Sequence, residues 1–188
     1  MEGHDPTAIP LPPQKRALDV ALALLVATVG APVAAVAALA MGLDMLLRPA
    51  DRGRWLYRER RISRGQAFDL LKLRALREDV LAAMPSDESH VRLLEADPAN
   101  LTWAGRRVLK PLYLDELPQL VNVLRGDMSV VGPRPWPPSL VRRQVERGVD
   151  YRLHATAGWT GPVQVSKGRA EPGTFEALDL AYREGLRF

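Results

Sequence analysis

From Val20 to Leu43 the chain runs for twenty-four residues without a charge. As a helix rising 1.5 Å per residue this stretch would be roughly 36 Å long, enough to cross a hydrocarbon core of about 30 Å. Gly30 and Pro32 interrupt it near its middle, and both flanks are basic: Lys15 and Arg16 before it, Arg48, Arg52, Arg54, Arg58, Arg60 and Arg61 after it. A single span cannot place both basic flanks on the cytoplasmic face, whereas a helix that enters one leaflet and turns back can. The pattern therefore predicts a re-entrant membrane helix over residues 15–48, helix, break at Gly30/Pro32, helix, with Asp19 and Asp44 kept at the interface. An ordinary span, a buried core helix and a cleaved signal peptide are the alternatives. The last fits poorly, because the apolar run is long and comes after a proline-rich start.

Residues 1–14 hold Pro6, Pro10, Pro12 and Pro13 and read as a disordered leader. Beyond the apolar helix, Trp55 to Arg60 and Gln66 to Leu73 read as a short hairpin turning at Ser63-Arg64-Gly65. Glu78 to Glu95 has an amphipathic helical pattern interrupted at Pro85, and Asp97 to Leu101 is a loop. Leu117, Leu120, Val121 and Leu124 fall on one helical face, with Pro118 tolerated in the first turn and Gly126 as the stop. Ser139 to Arg147 reads as a polar helix, Ala157 to Gly168 as a Gly-rich loop with a short β-like piece, and Thr174 to Leu186 as a terminal amphipathic helix capped by Thr174. The fold class expected is α+β, mainly helical, with residues 49–188 forming one small globular domain that contains the hairpin.

Composition narrows the chemistry. The 188 residues include no cysteine, so disulfides and thiolate chemistry are excluded, and His4, His90 and His154 are too scattered to ligate a metal together. Any metal would be hard and carboxylate-bound, which points to magnesium. The net charge of +4 is unevenly spread: residues 51–77 carry nine basic against three acidic residues, residues 78–100 one against six. A basic block directly after an apolar segment suits an anionic membrane surface or a phosphorylated substrate. Nucleic acid fits less well, because the block has few aromatics and no recognisable binding signature. Asp115 and Glu116 lie at the start of a helical pattern, where backbone N–H groups and the helix dipole hold a carboxylate ionised and favour nearby anions. The plain alternative is an N-cap with a solvated neighbour.

Several motifs then fall into one set. LDELPQLVNVLRGDMSVVGPRP spans Leu114 to Pro135. Lys15 and Arg16, with Asp19 behind them, precede the apolar helix. Arg60, Gly65 and Phe68 form Arg-x-x-x-x-Gly-x-x-Phe, Lys72 and Arg74 form Lys-x-Arg, and Gly158, Thr160, Gly161 and Gln164 form Gly-x-Thr-Gly-x-x-Gln. Together, from about Lys15 to about Arg169, they resemble the bacterial sugar transferases, the monotopic phosphoglycosyl transferases.

The resemblance implies a globular domain on the cytoplasmic face of the bacterial inner membrane, anchored in one leaflet by the re-entrant helix. It implies transfer of a phosphosugar from a nucleotide diphosphate sugar, with uridine the expected nucleotide, to polyprenol phosphate, a step that initiates glycoconjugate synthesis. Asp115 would be the nucleophile of a covalent aspartyl-phosphosugar intermediate and Glu116 the magnesium ligand. Arg134, Lys72, Arg74 and Arg60 would meet substrate phosphates, and Gln119, Trp159 and Gln164 would line the nucleotide or sugar pocket. For Arg134 the alternative is a turn residue, for Lys72 and Arg74 a solvent face, and for Trp159 and Gln164 a core role. Asn122 and Asp127 read as caps of the turn at Gly126. The chain departs from the family pattern at Arg58 (usually Gln), Ile62 (usually Gly), the KLRAL run of Lys72 to Leu76, and Ala157 (usually Pro). The segment before the dyad is one residue longer than usual, with Lys110 near an expected Arg. A rival reading is a catalytically weak or inactive membrane-bound scaffold of the same fold. Nucleic acid is not an expected partner, and a homo-oligomer is left open.

Overall fold

The computed structural model describes residues 11–84 and 91–165 together with 177 and 179. The interruption at Pro85 lies outside these residues, as does the helix expected over Thr174 to Leu186 except for residues 177 and 179. The chain is mainly helical, and it opens with α1 (Pro13–Leu47), thirty-five residues long. The expected break at Gly30 and Pro32 is not one: the helix is continuous through both, with Pro32 inside it. Pro32 withholds the N–H that would reach the Thr28 carbonyl, and the Thr28 hydroxyl donates back to the Leu24 carbonyl at 2.8 Å. Both weaken the ladder locally without ending it. Among the described residues α1 is the one helix long and apolar enough to cross a membrane, and Leu24, Leu25, Val29, Val36 and Leu39 on it are exposed.

A hairpin comes next, β1 (Leu56–Ser63) and β2 (Gln66–Leu73), joined by Arg64 and Gly65 at φ 51° and 72°. Two consecutive positive φ angles give the type I′ turn, whose twist matches that of paired strands. The alternation on β1 is unusual because its buried positions are polar: Glu59, Arg61 and Ser63. Then come α2 (Glu78–Ala82), α3 (Val91–Ala96), a wide π-turn over Gly105–Leu109, a 3₁₀ turn over Leu114–Glu116, and α4 (Gln119–Arg125). Next come β3 (Ser129–Val131), α5 (Pro138–Glu146), α6 (Tyr151–His154), β4 (Gly158–Thr160) and α7 (Pro162–Val165).

These elements form two compact units, one from Met1–Ala23, Arg60–Phe68 and Asn122–Phe188, the other from Leu24–Glu59 and Asp69–Val121. In the first, β3 and β4 pair in parallel with Ser129 opposite Gly158 and Val131 opposite Thr160. The pairing is close: a Cβ on Gly158 would sit 2.1 Å from the Gly132 nitrogen, and one on Gly161 would sit 2.1 Å from the Gly132 oxygen. Here glycine is required by space, so the GPRP and GWTG motifs are two sides of one contact. Asp19, fully buried, fastens the start of α1 to this unit by accepting from Lys15, from the Ser129 hydroxyl at 2.8 Å and from the Val130 N–H at 3.1 Å. Arg16 caps the end of α4 by donating to the Val123 and Leu124 carbonyls.

The second unit has an apolar cluster of Ala37 and Met41 of α1 with Ala75, Ala104, Leu109 and Leu114, extended by Met45, Trp103 and Leu117 among others. At its edge a helical turn starts at Trp103, and its first free N–H groups all find side-chain acceptors. Trp103 donates to Asp51 at 3.0 Å, Ala104 to Asp44 at 2.8 Å and Gly105 to the Thr102 hydroxyl at 2.9 Å. Asp44 is a 2 % exposed cap that ties the end of α1 to this turn. Replacing a capping carboxylate and leaving a buried N–H unpaired costs about 2 kcal/mol. Asp44→Ala is therefore expected to lower the unfolding free energy by about that amount, and Asp44→Asn by clearly less, because an amide oxygen still accepts from Ala104. Thermal unfolding of the two variants in one detergent checks the order; equal losses would refute the capping role.

Candidate active site

The expected dyad does not open a long helix. Asp115 and Glu116 lie in the 3₁₀ turn Leu114–Glu116, and tight turns at Leu117 and Pro118 lead into the seven-residue α4. The Glu116 and Leu117 N–H groups are already taken by the Tyr113 and Leu114 carbonyls, so a helix terminus is not what holds Asp115. A lysine does. Asp115 is 3 % exposed, and its Oδ2 lies 2.9 Å from the Lys110 ammonium, which also meets Glu95 at 2.6 Å.

The backbone explains how Lys110 reaches Asp115. The Lys110 N–H bonds the Gly105 carbonyl, five residues back, which is the π-turn. Such a turn carries its hydrogen bond one residue further than an α-helical turn. Gly105 makes the turn possible, since a Cβ there would meet the Ala75 carbonyl at 2.3 Å. Tyr113 then takes the left-handed conformation at φ 56°, uncommon for a residue with a Cβ, and brings Asp115 back toward Lys110.

The electrostatics are those of one cation between two carboxylates. Burial pulls the Lys110 pKa down, but Glu95 and Asp115 together outweigh it, and the ammonium stands above the ordinary lysine value of 10.5. Lys110 thus holds one Asp115 oxygen and leaves Oδ1 without a hydrogen-bond partner among the described residues. The half-buried Glu116 carboxylate has none among them either.

The remaining expected residues divide. Gln119 is buried, 4 % exposed, in the same unit as the dyad. Lys72, on β2, and Arg74, just past its end, are both buried. Lys72 is paired to Glu59 across the hairpin at 2.8 Å. Arg74, 1 % exposed, donates to the Arg54, Leu76 and Asp51 carbonyls at 2.6, 2.8 and 2.7 Å. These contacts account for both residues architecturally. Arg60, Arg134, Trp159 and Gln164 belong to the other unit. Arg60 is exposed and Arg134 half-buried, its carbonyl taking a hydrogen bond from Arg152 while its guanidinium has no partner among the described residues. Gln164 donates to the Gly158 carbonyl at 3.2 Å, and its buried Oε1 has no acceptor role filled among those residues. Asn122 bonds Asp127 at 2.8 Å around Gly126, as caps of that turn should.

Sequence reasoning missed Glu95, whose α3 stands apart from the dyad motif. It also missed Arg152, which stacks 4.2 Å from the Trp136 ring and pairs with Asp179 at 2.7 Å. Neither carries a motif; only a partner distant in sequence marks it.

Comparison with known proteins places these features in context. The sequence model of the bacterial sugar transferases matches residues 12–188. A UDP-glucose:undecaprenyl-phosphate glucose-1-phosphate transferase of Caulobacter vibrioides is 38 % identical over 173 residues, covering 88 % of this chain and 58 % of that protein. The exopolysaccharide production protein ExoY of Sinorhizobium fredii is 37 % identical over 166 residues, 81 % of this chain and 68 % of its own length. An undecaprenyl-phosphate galactose phosphotransferase of Salmonella typhimurium is 40 % identical over 130 residues, 62 % of this chain but 26 % of that protein. The chain thus spans only part of the length of these relatives.

Removing the Lys110 charge strands two carboxylates, and breaking a largely buried pair costs on the order of 3 kcal/mol. Because the Lys110 pKa is raised on folding, its contribution is fully present below 10.5, the unfolded value, and is lost as pH rises beyond it. Wild type should therefore exceed Lys110→Met in unfolding temperature at pH near neutrality, and the gap should close in strong alkali. A gap that is unchanged or wider there would refute the pairing.

Proposed function

The chain belongs to the bacterial sugar transferase family, and from that membership we propose that it transfers a phosphosugar from a uridine diphosphate sugar to a polyprenol phosphate, as the first membrane step of a glycan pathway. The observation that carries the reading is the Asp115 carboxylate, buried and fixed through Oδ2 by Lys110, with Oδ1 left for attack and Glu116 next in the chain. Asp115 attacks the sugar-linked phosphorus. The bond from that phosphorus to the bridging oxygen breaks, uridine monophosphate leaves, and an aspartyl-phosphosugar remains. A phosphate oxygen of the polyprenol phosphate then attacks the same phosphorus and expels the Asp115 carboxylate. The product is a polyprenol diphosphate sugar, and the two displacements balance with no further reactant.

Magnesium fits the residues present. Among the described residues no group of three or more potential ligands converges, and magnesium is usually bound through one or two carboxylates with its remaining positions on water and substrate phosphates. Glu116, without another partner among those residues, would hold it; when bound, the ion supplies positive charge to the diphosphate. Arg134, its backbone fixed by prolines on both sides, and Arg60 are the cations put forward for the substrate phosphates.

Membrane attachment through α1 in one leaflet, on the cytoplasmic face of the inner membrane, completes the reading. Support comes from the two ends of the helix: Asp19 is bonded to residues 129 and 130, and Asp44 to residue 104. Residues 105–128 contain no helix long enough to cross a bilayer, which is what attachment of both helix ends from one face requires.

Incubation with donor alone should yield a mass adduct of one phosphosugar and release uridine monophosphate before any acceptor is present. Asp115→Asn should give neither adduct nor turnover while remaining folded, and a chelator should abolish turnover until magnesium is restored. Unmodified wild-type protein that turns over with sequential kinetics would reassign Asp115 to a base or metal ligand; an inert wild type would favour the scaffold. For topology, the cysteine-free chain allows Gln14→Cys and Ala50→Cys to be labelled singly in sealed vesicles. Both should react from the same side; opposite sides would mean a full span.

A further inference from the structure

The second unit contains a cavity of about 580 Å³, open to solvent and lined in part by Arg54, Trp55, Leu56, Arg58 and Arg74; no acidic residue is among its described lining, though Glu78 meets Arg54 and lies 3.6 Å from Arg74. Arg74 fixes its wall, since its side chain and N–H bind the carbonyls of Asp51, Arg54 and Trp55. The other two arginines face water. The Arg54 side chain is 79 % exposed and meets Glu78 at 3.0 Å; that of Arg58 is 70 % exposed, and its pair with Asp69 spans 3.9 Å. Exposed pairs of this kind hold their cations weakly, so both remain available to an anion.

The cavity also has an apolar side. Trp55 and Leu56 are nearly half exposed, and the Trp55 indole lies against α1 at Gly42, where a Cβ would stand 3.6 Å from the ring. Leu39, Leu43, Leu46 and Leu47 of the same helix end are exposed. A tryptophan between an apolar helix and a cluster of arginines is the arrangement found at the headgroup level of a bilayer.

We propose that this cavity binds the headgroup of an anionic phospholipid: the phosphodiester between Arg54 and Arg58, the acyl chains along Leu56 and the exposed leucines of α1. Neither Asp115 nor Glu116 is among the described residues that line the cavity. The proposal rests on the attachment of α1 to a membrane.

The test uses the full chain with phosphatidylcholine vesicles, with and without phosphatidylglycerol, reading flotation and the phospholipids retained in native mass spectra. Wild type should float with both and retain phosphatidylglycerol preferentially. Arg54→Gln and Arg58→Gln should each lower that retention about fivefold, while the same charge change outside the cavity, Arg52→Gln, should leave it nearly unchanged. Should Arg54→Gln fail to fold for want of its Glu78 pair, Arg58→Gln decides alone. Equal losses in all three variants, or no preference in wild type, would overturn the site. Displacement of the retained lipid by inorganic phosphate would make it a free-phosphate site. Displacement by polyprenol phosphate, with a raised KM for acceptor in Arg58→Gln, would make it the acceptor site; either result overturns the proposal. Wild type that floats with neither vesicle would overturn the membrane attachment and this site together, whereas flotation without selectivity overturns this site only.

Discussion

Asp44 and Asp51 cap the N-terminus of the turn that begins at Trp103, and much of the second unit hangs on that contact. An N-terminal helical turn exposes N–H groups that cannot be left dry and unpaired. Here they are satisfied by carboxylates from the last turns of α1 and the stretch just after it, so the apolar helix and the segment leading to Asp115 are set by one set of hydrogen bonds. Ala37, Met41 and Met45, on the same helix, pack against Ala104, Leu109 and Leu114 and add apolar contact to the polar one.

Downstream of that turn the backbone makes a series of compensations. Gly105–Leu109 form a π-turn, Gly105 allows the close pass of Ala75, and Tyr113 adopts a left-handed conformation. Each is individually unfavourable or rare, and they persist because the cap and the apolar cluster over-determine the path. Their joint result is a lysine against the buried Asp115. An arginine at that place would present a planar fork; Lys110 is a compact point charge that can bridge Glu95 and Asp115 at once.

In the first unit the same logic runs through glycine. Gly132, Gly158 and Gly161 let two short strands approach more closely than any side chain permits, and Arg152 fills the space beside them by stacking on Trp136 and donating to the Arg134 carbonyl. The strands themselves are three residues each, too short to be stable alone, so the loop that carries Arg134 depends on that contact.

The sequence alone determined the long apolar helix, the hairpin turning within Ser63-Arg64-Gly65, though not that its first strand runs on to Ser63, and the place of Asp115 and Glu116 in the chain, because each is written in residues a few positions apart: an uncharged run, a turn tripeptide, a contiguous motif. It did not determine which charges are already engaged. Asp19 and Asp44 are buried acceptors, Lys72 is paired with Glu59, Arg74 is held by main-chain carbonyls, and Pro32, which reads as a break, lies within a helix. The tertiary structure decided these, because whether a buried charge is paired depends on a partner brought near by folding, as Glu95 is to Lys110 and Ser129 is to Asp19, and no local pattern encodes that distance.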